Sequence, residues 1–318
     1  MTIDQSRILR PSRVRPHDCI GIVAPAGPVS DSSRLQAGVA YLERLGYRTK
    51  VAPHAEAVHG HLAGTDAERA ADLMAMFLDP GVQAIICLRG GFGSTRILPL
   101  LDFELIKRHP KVFSGFSDIT ALQLALWHRC LLVTFHGPML APDFSGALDS
   151  LTESSFWGMV SGDDAAALLP LCQSASARTL FPGQATGRLL GGNLSLLSVL
   201  VGTPFIPDFT GSLLYIEEVG EEPYRVDRAL THLTMSGIFS RANGVVAGEF
   251  SNCTPKDPSR PTLSVERLLE DLAGSLRVPF SAGCLFGHVP SKLTLPTGVL
   301  AQFNADEGML KLMEPAVF

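Results

Sequence analysis

A chain of 318 residues, of which 46% are hydrophobic and 18% charged, is long and apolar enough to bury a large core and predicts two domains rather than one. Its formal net charge of −5 offers no surplus of Lys and Arg, so we expect neither nucleic acid nor an anionic membrane as a partner, but a small molecule or peptide. No apolar run reaches the ~20 residues that a membrane span requires.

The N-terminal segment and the cysteines bear on the compartment of the protein. Residues 1–18 carry basic side chains but no apolar core and no small-residue cleavage site, which argues against a secretory signal. The cysteines are scattered without a C-x-x-C pair, mostly in apolar surroundings: Cys19, Cys87, Cys130, Cys172, Cys253 and Cys284. This pattern favours buried, reduced thiols and a cytoplasmic protein.

The first half of the chain alternates between strand-like and helix-like patterns. Strands are predicted at 19–27, 47–53, 82–91, 111–116 and 131–138, and helices at 33–46 and 66–80. Such alternation predicts a parallel sheet flanked by helices, with function at the carboxyl ends of the strands. Those ends are 25–27, 89–91, 117–118 and 136–137.

The second half is less regular. Residues 172–187 are rich in Ser, Ala and Gly and predict a linker or a crossover between domains. Beyond them, helices are predicted at 193–202, 223–237 and 264–274, strands at 212–219 and 244–250, and β-rich sequence to the end. We therefore predict an N-terminal domain over 1–170, a linker over 171–187 and a C-terminal domain over 188–318.

Ser117 stands where a predicted strand gives way to a helix. It either caps that helix, by accepting hydrogen bonds from free N–H groups, or is a nucleophile presented at the turn. The G-x-S-x-G pattern is not met, because Ile119 replaces the second glycine. The pattern alone favours the cap, although a helix N-terminus also supplies a positive dipole end and an N–H for an oxyanion.

The glycine-rich stretch LRGGFGSTRIL, residues 88–98, follows another predicted strand. Its bare N–H groups could hold a phosphate or a developing oxyanion, or the loop is simply a tight turn into a helix. The dinucleotide fingerprint fails, because Thr95 and Arg96 follow Gly93, and there is no Lys-Ser/Thr pair for a P-loop.

Acidic residues and a histidine in the second half are further candidates. Glu217 and Glu218 end an apolar strand, where a partly buried carboxylate must find a partner such as His or Arg. Only the alternation of the strand decides which of the two glutamates faces that partner. His288 lies in a turn between two strand-like runs, where a structural role is the more common one. Cys284 is expected to be a packed, inert thiol rather than a nucleophile. No metal site is predicted, since His59-Gly60-His61 lacks a nearby third ligand.

Taken together in chain order, these segments resemble the LD-carboxypeptidase family, which includes murein tetrapeptide carboxypeptidases and the related microcin C immunity peptidases. The resemblance covers nearly all of the chain. It rests on APAG (24–27), AGTDAERAADL (63–73), LRGGFGSTRIL, GFSDITAL (115–122), TFHGPM (134–139), GGNLSLLSVLVGTP (191–204), LLYIEEVGEEPYRVDRAL (213–230) and FGHVPSKLTLPTG (286–298).

The resemblance implies a serine peptidase with a Ser-Glu-His triad made of Ser117, Glu217 and His288. His288 would act as the general base and Glu217 would orient it. The backbone N–H groups of Gly91 and Asp118 would form the oxyanion hole. The resemblance also implies a Rossmann-like α/β domain followed by a smaller β-rich C-terminal domain, a homodimer, and no cofactor.

The expected function is a serine carboxypeptidase that cleaves an L,D peptide bond and releases terminal D-alanine from murein tetrapeptide during cell-wall recycling. The substrate carboxylate needs a cationic pocket, for which Arg89 and Arg96 are candidates. One alternative is an immunity-type peptidase that cleaves peptidyl or aminoacyl nucleotide amides. Another is a non-catalytic nucleotide-binding protein that uses 89–91 as an anion cradle. Because the triad draws on both halves, we also expect it to require their docking, with relative domain motion gating activity.

Overall fold

The computed structural model of the chain describes residues 8–163 and 167–318, so part of the N-terminal segment that argues against a secretory signal lies outside the described residues. The strands are β1 Cys19–Val23, β2 Arg48–Val51, β3 Ala84–Cys87, β4 Val112–Gly115, β5 Thr134–His136, β6 Leu168–Leu169, β7 Arg178–Phe181, β8 Gln184–Asn193, β9 Leu213–Val219, β10 Gly244–Ser251, β11 Phe280–Cys284, β12 Leu295–Thr297, β13 Leu300–Asn304 and β14 Met309–Leu312.

The helices are α1 Ser32–Arg44, α2 Asp66–Leu78, α3 Ser94–Ile97, α4 Phe103–Arg108, α5 Thr120–Cys130, α6 Ser150–Ser161, α7 Leu194–Leu200, α8 Pro223–Met235, α9 Ile238–Arg241 and α10 Val265–Leu276. None of the helices in the two described ranges has the length and apolarity that crossing a membrane requires.

The first sheet has the strand order β12-β5-β4-β3-β1-β2. Strands β1 to β5 are parallel, and β1, β3 and β4 are buried along their whole length, as expected for strands covered by helices on both faces. Helix α2 begins where its sequence predicts, because the Thr65 side chain and Glu68 form a reciprocal capping box. The predicted α/β architecture of the N-terminal half is confirmed.

The second sheet has the order β6-β14-β13-β8-β9-β10-β11-β7. Its centre, β8 to β11, is parallel, while β6, β7, β13 and β14 pair antiparallel. The predicted β-rich C-terminal domain is thus confirmed. The segment 171–187 is not a free linker, however, because it contributes β7 to one edge of this sheet and the start of β8 to its interior. The alternation of apolar and polar side chains in this segment is too weak to predict those strands.

A strand from the C-terminal half, β12, belongs to the first sheet. Strand β12 pairs antiparallel with β5, with Leu295 opposite His136. Just before it, Ser291 Oγ donates to Asp149 Oδ1 (2.9 Å) at the start of α6, and the Lys292 ammonium forms a buried ion pair with Asp143 (2.6 Å). The loop that precedes β12 is therefore fixed to the N-terminal half at several points. These contacts join the two halves directly, and gating of activity by relative domain motion stays a prediction.

The expectation that all cysteines are reduced is wrong for two of them. Cys172 and Cys284 form a disulfide across 112 residues of sequence, and Cys284 is therefore not an inert thiol. They meet because the segment before β7 lies against the end of β11, where the Leu285 N–H donates to the Leu171 carbonyl (2.7 Å). No local pattern marks the pair, since their approach depends on the pairing of distant strands. The remaining cysteines are buried free thiols: Cys19, Cys87, Cys130 and Cys253.

Candidate active site

Ser117 follows β4 and opens a short 3₁₀ turn, Ser117–Ile119, that leads into α5. Its backbone has φ of 62°, in the left-handed region that costs a non-glycine residue of the order of 1–2 kcal/mol. Neither the turn nor α5 receives a side-chain cap, and in the described part of the chain Ser117 Oγ has no hydrogen-bond partner. The hydroxyl thus makes no capping hydrogen bond, and the strained backbone is of the kind that clusters at functional sites.

The glycine loop packs directly on Ser117. A side chain at Gly90 would place its Cβ 2.9 Å from Ser117 Cβ and 3.0 Å from Oγ, distances too short for any residue but glycine. The next residue, Gly91, has an N–H with no acceptor among residues 8–163 and 167–318. A free N–H therefore lies in the loop that touches the serine.

The Asp118 side chain links the serine turn to the glycine loop. Its buried carboxylate accepts from the Ser94 N–H (2.8 Å) at the start of α3, which fixes the end of the glycine loop to the serine turn. Burial raises the pKa of this carboxyl, although the Ser94 hydrogen bonds oppose the shift. The side chain thus holds together the two segments that carry the predicted oxyanion donors.

His288 and Glu217 are in direct contact. Glu217 Oε2 lies 2.6 Å from His288 Nδ1, and the Glu217 side chain is fully buried while that of His288 is 20% exposed. In the neutral imidazole this contact favours the tautomer with the proton on Nδ1, which leaves Nε2 as an acceptor. A Cβ at Gly287, where φ is 91°, would lie 2.7 Å from Glu217 Oε2, so only glycine lets the loop approach the carboxylate this closely. The Phe116 ring contacts His288 edge-on at 4.9 Å between centroids.

Glu218 points away from this pair. Its carboxylate accepts from Asn193 Nδ2 (2.9 Å), Ser195 Oγ (2.6 Å) and the Ser195 and Val219 N–H groups. Burial raises the pKa of Glu218 against the lowering effect of these donors. The alternation of β9 therefore divides two adjacent carboxylates between His288 and the N-terminus of α7.

Ser117 and His288 line one pocket of about 280 Å³, together with Gly90, Gly91 and Phe116. No hydrogen bond joins Ser117 to His288 in the described residues. Hydrogen bonds between catalytic groups are often long or poorly aligned before the substrate binds. Two arginines, Arg34 and Arg89, also line the pocket, whereas no Asp or Glu among residues 8–163 and 167–318 does. The pocket is thus suited to a substrate with an anionic end.

The arginines predicted from the sequence differ in their placement. Arg89 lies in the pocket lining, where its Nη1 donates to the Pro28 carbonyl (2.9 Å). Arg96 lies outside the lining, and its guanidinium makes a two-pronged ion pair with Asp66 (2.8–3.0 Å). Sequence reasoning missed Arg34, on the first turn of α1, because nothing in the local pattern distinguishes it from any exposed helical arginine. Its position becomes informative only once α1 is placed beside the glycine loop.

The structure offers no metal centre within its described ranges, where no three His, Cys, Asp or Glu side chains are grouped to hold an ion. His59 and His61 accordingly have no third ligand there.

A family model matches each half of the chain. The model of the LD-carboxypeptidase N-terminal domain matches residues 20–137, and that of the LD-carboxypeptidase C-terminal domain matches residues 186–303. A probable murein peptide carboxypeptidase of Bacillus subtilis (strain 168) is 41% identical over 302 residues, which cover 94% of this chain and 92% of the relative.

Solved structures agree with these matches. A muramoyltetrapeptide carboxypeptidase from Oxalobacter formigenes has a TM-score of 0.79 at 32% identity, covering 92% of this chain and 97% of that one. The microcin C7 self-immunity protein MccF, in its apo state, has a TM-score of 0.89 at 24% identity, covering 98% of this chain and 100% of that one. At that identity the second likeness shows the shared fold alone.

Proposed function

The chain belongs to the LD-carboxypeptidase family, and we propose that it is a serine carboxypeptidase that cleaves the L,D bond before the terminal D-alanine of murein tetrapeptide. The family and the names of the relatives support a peptidase that acts on peptidoglycan fragments. The observation that carries the finer proposal is the pocket, in which Ser117 and His288 lie beside two arginines and, among the described residues, no carboxylate.

The proposed reaction follows from the order of these groups. Ser117 Oγ attacks the scissile carbonyl while His288 takes its proton, and the N–H groups of Gly91 and Asp118 stabilise the oxyanion. His288 then protonates the leaving amine of D-alanine, and water hydrolyses the acyl-enzyme by the same route in reverse. Glu217 holds the imidazole through the 2.6 Å contact and stabilises the imidazolium that forms.

Free murein tetrapeptide tests this proposal. Incubation with the purified protein should yield tripeptide and D-alanine in equal amounts, detected by mass spectrometry and a D-amino-acid assay. A tetrapeptide ending in L-alanine should remain intact. Absence of D-alanine release over a wide pH range would contradict the proposal.

The arginines give a prediction about the substrate carboxylate. Arg89→Met and Arg34→Met should each raise KM for tetrapeptide by about 10–100-fold with a smaller effect on kcat, because a charge-assisted hydrogen bond contributes ~1.5–3 kcal/mol. A tetrapeptide with a C-terminal amide lacks this carboxylate, so its KM should already be raised with the wild-type protein. Its KM should change little further in Arg89→Met or Arg34→Met.

Arg96→Met is the matched control, since Arg96 is exposed like Arg34 but pairs with Asp66 outside the pocket. Its KM should stay within about twofold of wild type. An equal rise in KM in all three variants would indicate a general effect of charge and remove the carboxylate clamp from the proposal.

The immunity-type alternative, cleavage of peptidyl or aminoacyl nucleotide amides, is supported by the shared fold with MccF but has less support from the pocket. Stacking on an aromatic side chain is a common way to hold a nucleobase, but Phe116 in the pocket lining already packs edge-on against His288. Trp127 is buried, and Trp157 packs among Tyr47, Phe144 and Phe156, so neither tryptophan lines the pocket. Release of the nucleotide from an aminoacyl sulfamoyl or phosphoramidate adenylate, faster than D-alanine release, would reverse this ranking. Tight nucleotide binding by calorimetry without any hydrolysis would instead favour the non-catalytic alternative.

The family resemblance adds two expectations, one about the oligomeric state and one about the cellular location. We expect a homodimer, to be checked by light scattering. Cell-wall recycling places the enzyme in the cytoplasm, where the Cys172–Cys284 disulfide would have to persist against a reducing thiol pool.

A further inference from the structure

His136 is a buried histidine for which the proposed reaction has no task. It ends β5, is 1% exposed, and both of its ring nitrogens lack a hydrogen-bond partner among the described residues. Leaving a buried polar group unpaired costs ~1–3 kcal/mol, so such groups almost always bind another protein atom or an ordered water. An imidazole with two unpaired nitrogens therefore requires an explanation.

The surroundings of His136 restrict the possible partners. Its ring packs edge-on against Tyr215 (5.4 Å), Phe116 (6.1 Å) and Phe286 (6.1 Å), none of which offers it a hydrogen bond. The charged or titratable groups whose fields reach it are Glu217, His288 and Lys292. Burial lowers the pKa of His136 to about 4, so at neutral pH the ring is uncharged, with one N–H donor and one acceptor nitrogen.

Glu217 presents the complementary unpaired atom. Its Oε2 is bonded to His288, but its Oε1 is also buried and has no partner among the residues described. Glu217 is two residues beyond Tyr215 on β9 and so on the same face of the strand, the face that the His136 ring contacts. A neutral donor and a carboxylate acceptor thus lie on the same side of β9, both enclosed and without a direct hydrogen bond between them.

We propose that one enclosed water molecule bridges His136 and Glu217 Oε1, so that His136 positions the carboxylate that orients His288. The inference rests on the proposed catalytic role of Glu217. The water accepts from the His136 N–H and donates to Oε1, which satisfies the donor nitrogen of the ring and the carboxylate oxygen and leaves Oε2 aimed at His288 Nδ1. Buried waters of this kind make two to four hydrogen bonds to groups that would otherwise be unpaired. His136 is a positioning residue, because it acts on the reaction only through Glu217.

Two substitutions at His136 separate positioning from packing. His136→Phe keeps a planar ring but removes both nitrogens, and kcat should fall by about 10–100-fold with KM little changed, the usual loss when an orienting partner is removed. His136→Gln keeps an N–H donor and should recover most of the lost kcat. Wild-type kcat in His136→Phe, or an equal loss in both variants, would overturn the proposal.

Thr134→Val is the matched control. Thr134 lies on the same strand and the same face, two residues farther from the site, and its buried hydroxyl also lacks a partner in the described chain. Removing this hydroxyl should leave kcat unchanged and the protein at least as stable. A loss of kcat here equal to that of His136→Phe would mean that any change in β5 disturbs the site, and would reject the specific role of His136.

A crystal structure that resolves ordered water tests the bridge without reference to activity. A water within hydrogen-bond distance of both a His136 nitrogen and Glu217 Oε1 is expected in the wild-type protein and absent in His136→Phe. A dry, unchanged geometry at this point would overturn the inference even in an active peptidase. Conversely, a protein with the water but without D-alanine release would contradict the proposed function and leave the bridge standing.

Discussion

Replacing Ser117 with Ala should lower kcat for D-alanine release by about 10³-fold or more, because in the proposed reaction this hydroxyl forms the covalent bond with the substrate. The fold should be unaffected, since Ser117 Oγ makes no hydrogen bond within the described chain and its removal leaves no buried group unpaired. Single-turnover kinetics and circular dichroism of the purified variant measure the two effects separately.

Ser117→Gly is a second variant that the backbone makes informative. Glycine adopts a φ of 62° without the Cβ clash, so this variant should be as inactive as Ser117→Ala but equal to it or up to ~1 kcal/mol more stable to urea. A more stable, inactive protein would indicate that the serine is kept at the cost of backbone strain.

Ser114→Ala serves as the control on the same segment. Ser114 lies in β4, is fully buried, and donates to the Pro138 carbonyl (3.1 Å). Its loss should cost ~1 kcal/mol of stability and leave kcat near wild type. If Ser117→Ala retained normal activity, or if Ser114→Ala were equally inactive, the nucleophile assignment would fail.

Glu217→Gln should lower kcat by about 10²–10⁴-fold, the range seen when the carboxylate that orients a catalytic histidine is replaced by an amide. An amide at this position can present its N–H to His288 Nδ1, which favours the wrong tautomer and removes the charge that stabilises the imidazolium. The 2.6 Å contact makes the effect direct. KM should change little, because Glu217 is fully buried and does not line the pocket.

The adjacent carboxylate provides a control with the same chemistry. Glu218→Gln replaces a side chain that accepts from Asn193, Ser195 and the Val219 N–H, so it should cost about 1–3 kcal/mol of stability with kcat close to wild type. Urea unfolding and steady-state kinetics on the two variants give the comparison. Equal loss of kcat in both would mean that the strand end is merely disturbed, and a larger loss in Glu218→Gln would reverse the assignment.

Local patterns were sufficient for much of the fold. The elements β1, α1, β2, α2, β3, β4 and β5 lie within the ranges that apolar runs and helical periods predict, or within one residue of them, because buried parallel strands and capped amphipathic helices leave a signature in neighbouring residues. The same signatures placed Ser117 and the glycine loop at strand ends. Since the carboxyl ends of parallel strands meet at one edge, their proximity followed from the pattern as well.

Other parts of the site depended on residues far apart in the chain. Strand β12 lies in the second half of the sequence but completes the first sheet by pairing with β5, and this pairing, with the Lys292–Asp143 ion pair, holds the loop of His288 beside Ser117. An isolated three-residue strand carries no information about its partner, because pairing depends on which edge the rest of the fold leaves open.

The sequence by itself determined the α/β architecture, the strand-end position of Ser117 and the resemblance that singled out Glu217 and His288. Only the tertiary structure decided that Glu218 binds Asn193 and Ser195, that Arg34 enters the pocket while Arg96 pairs with Asp66, and that Cys172 meets Cys284. The physical reason is the range of the interactions. Helix periods, caps and strand alternation arise between residues a few positions apart, whereas a side chain's partner across the fold is set by strand order, register and twist, which no short stretch of sequence specifies.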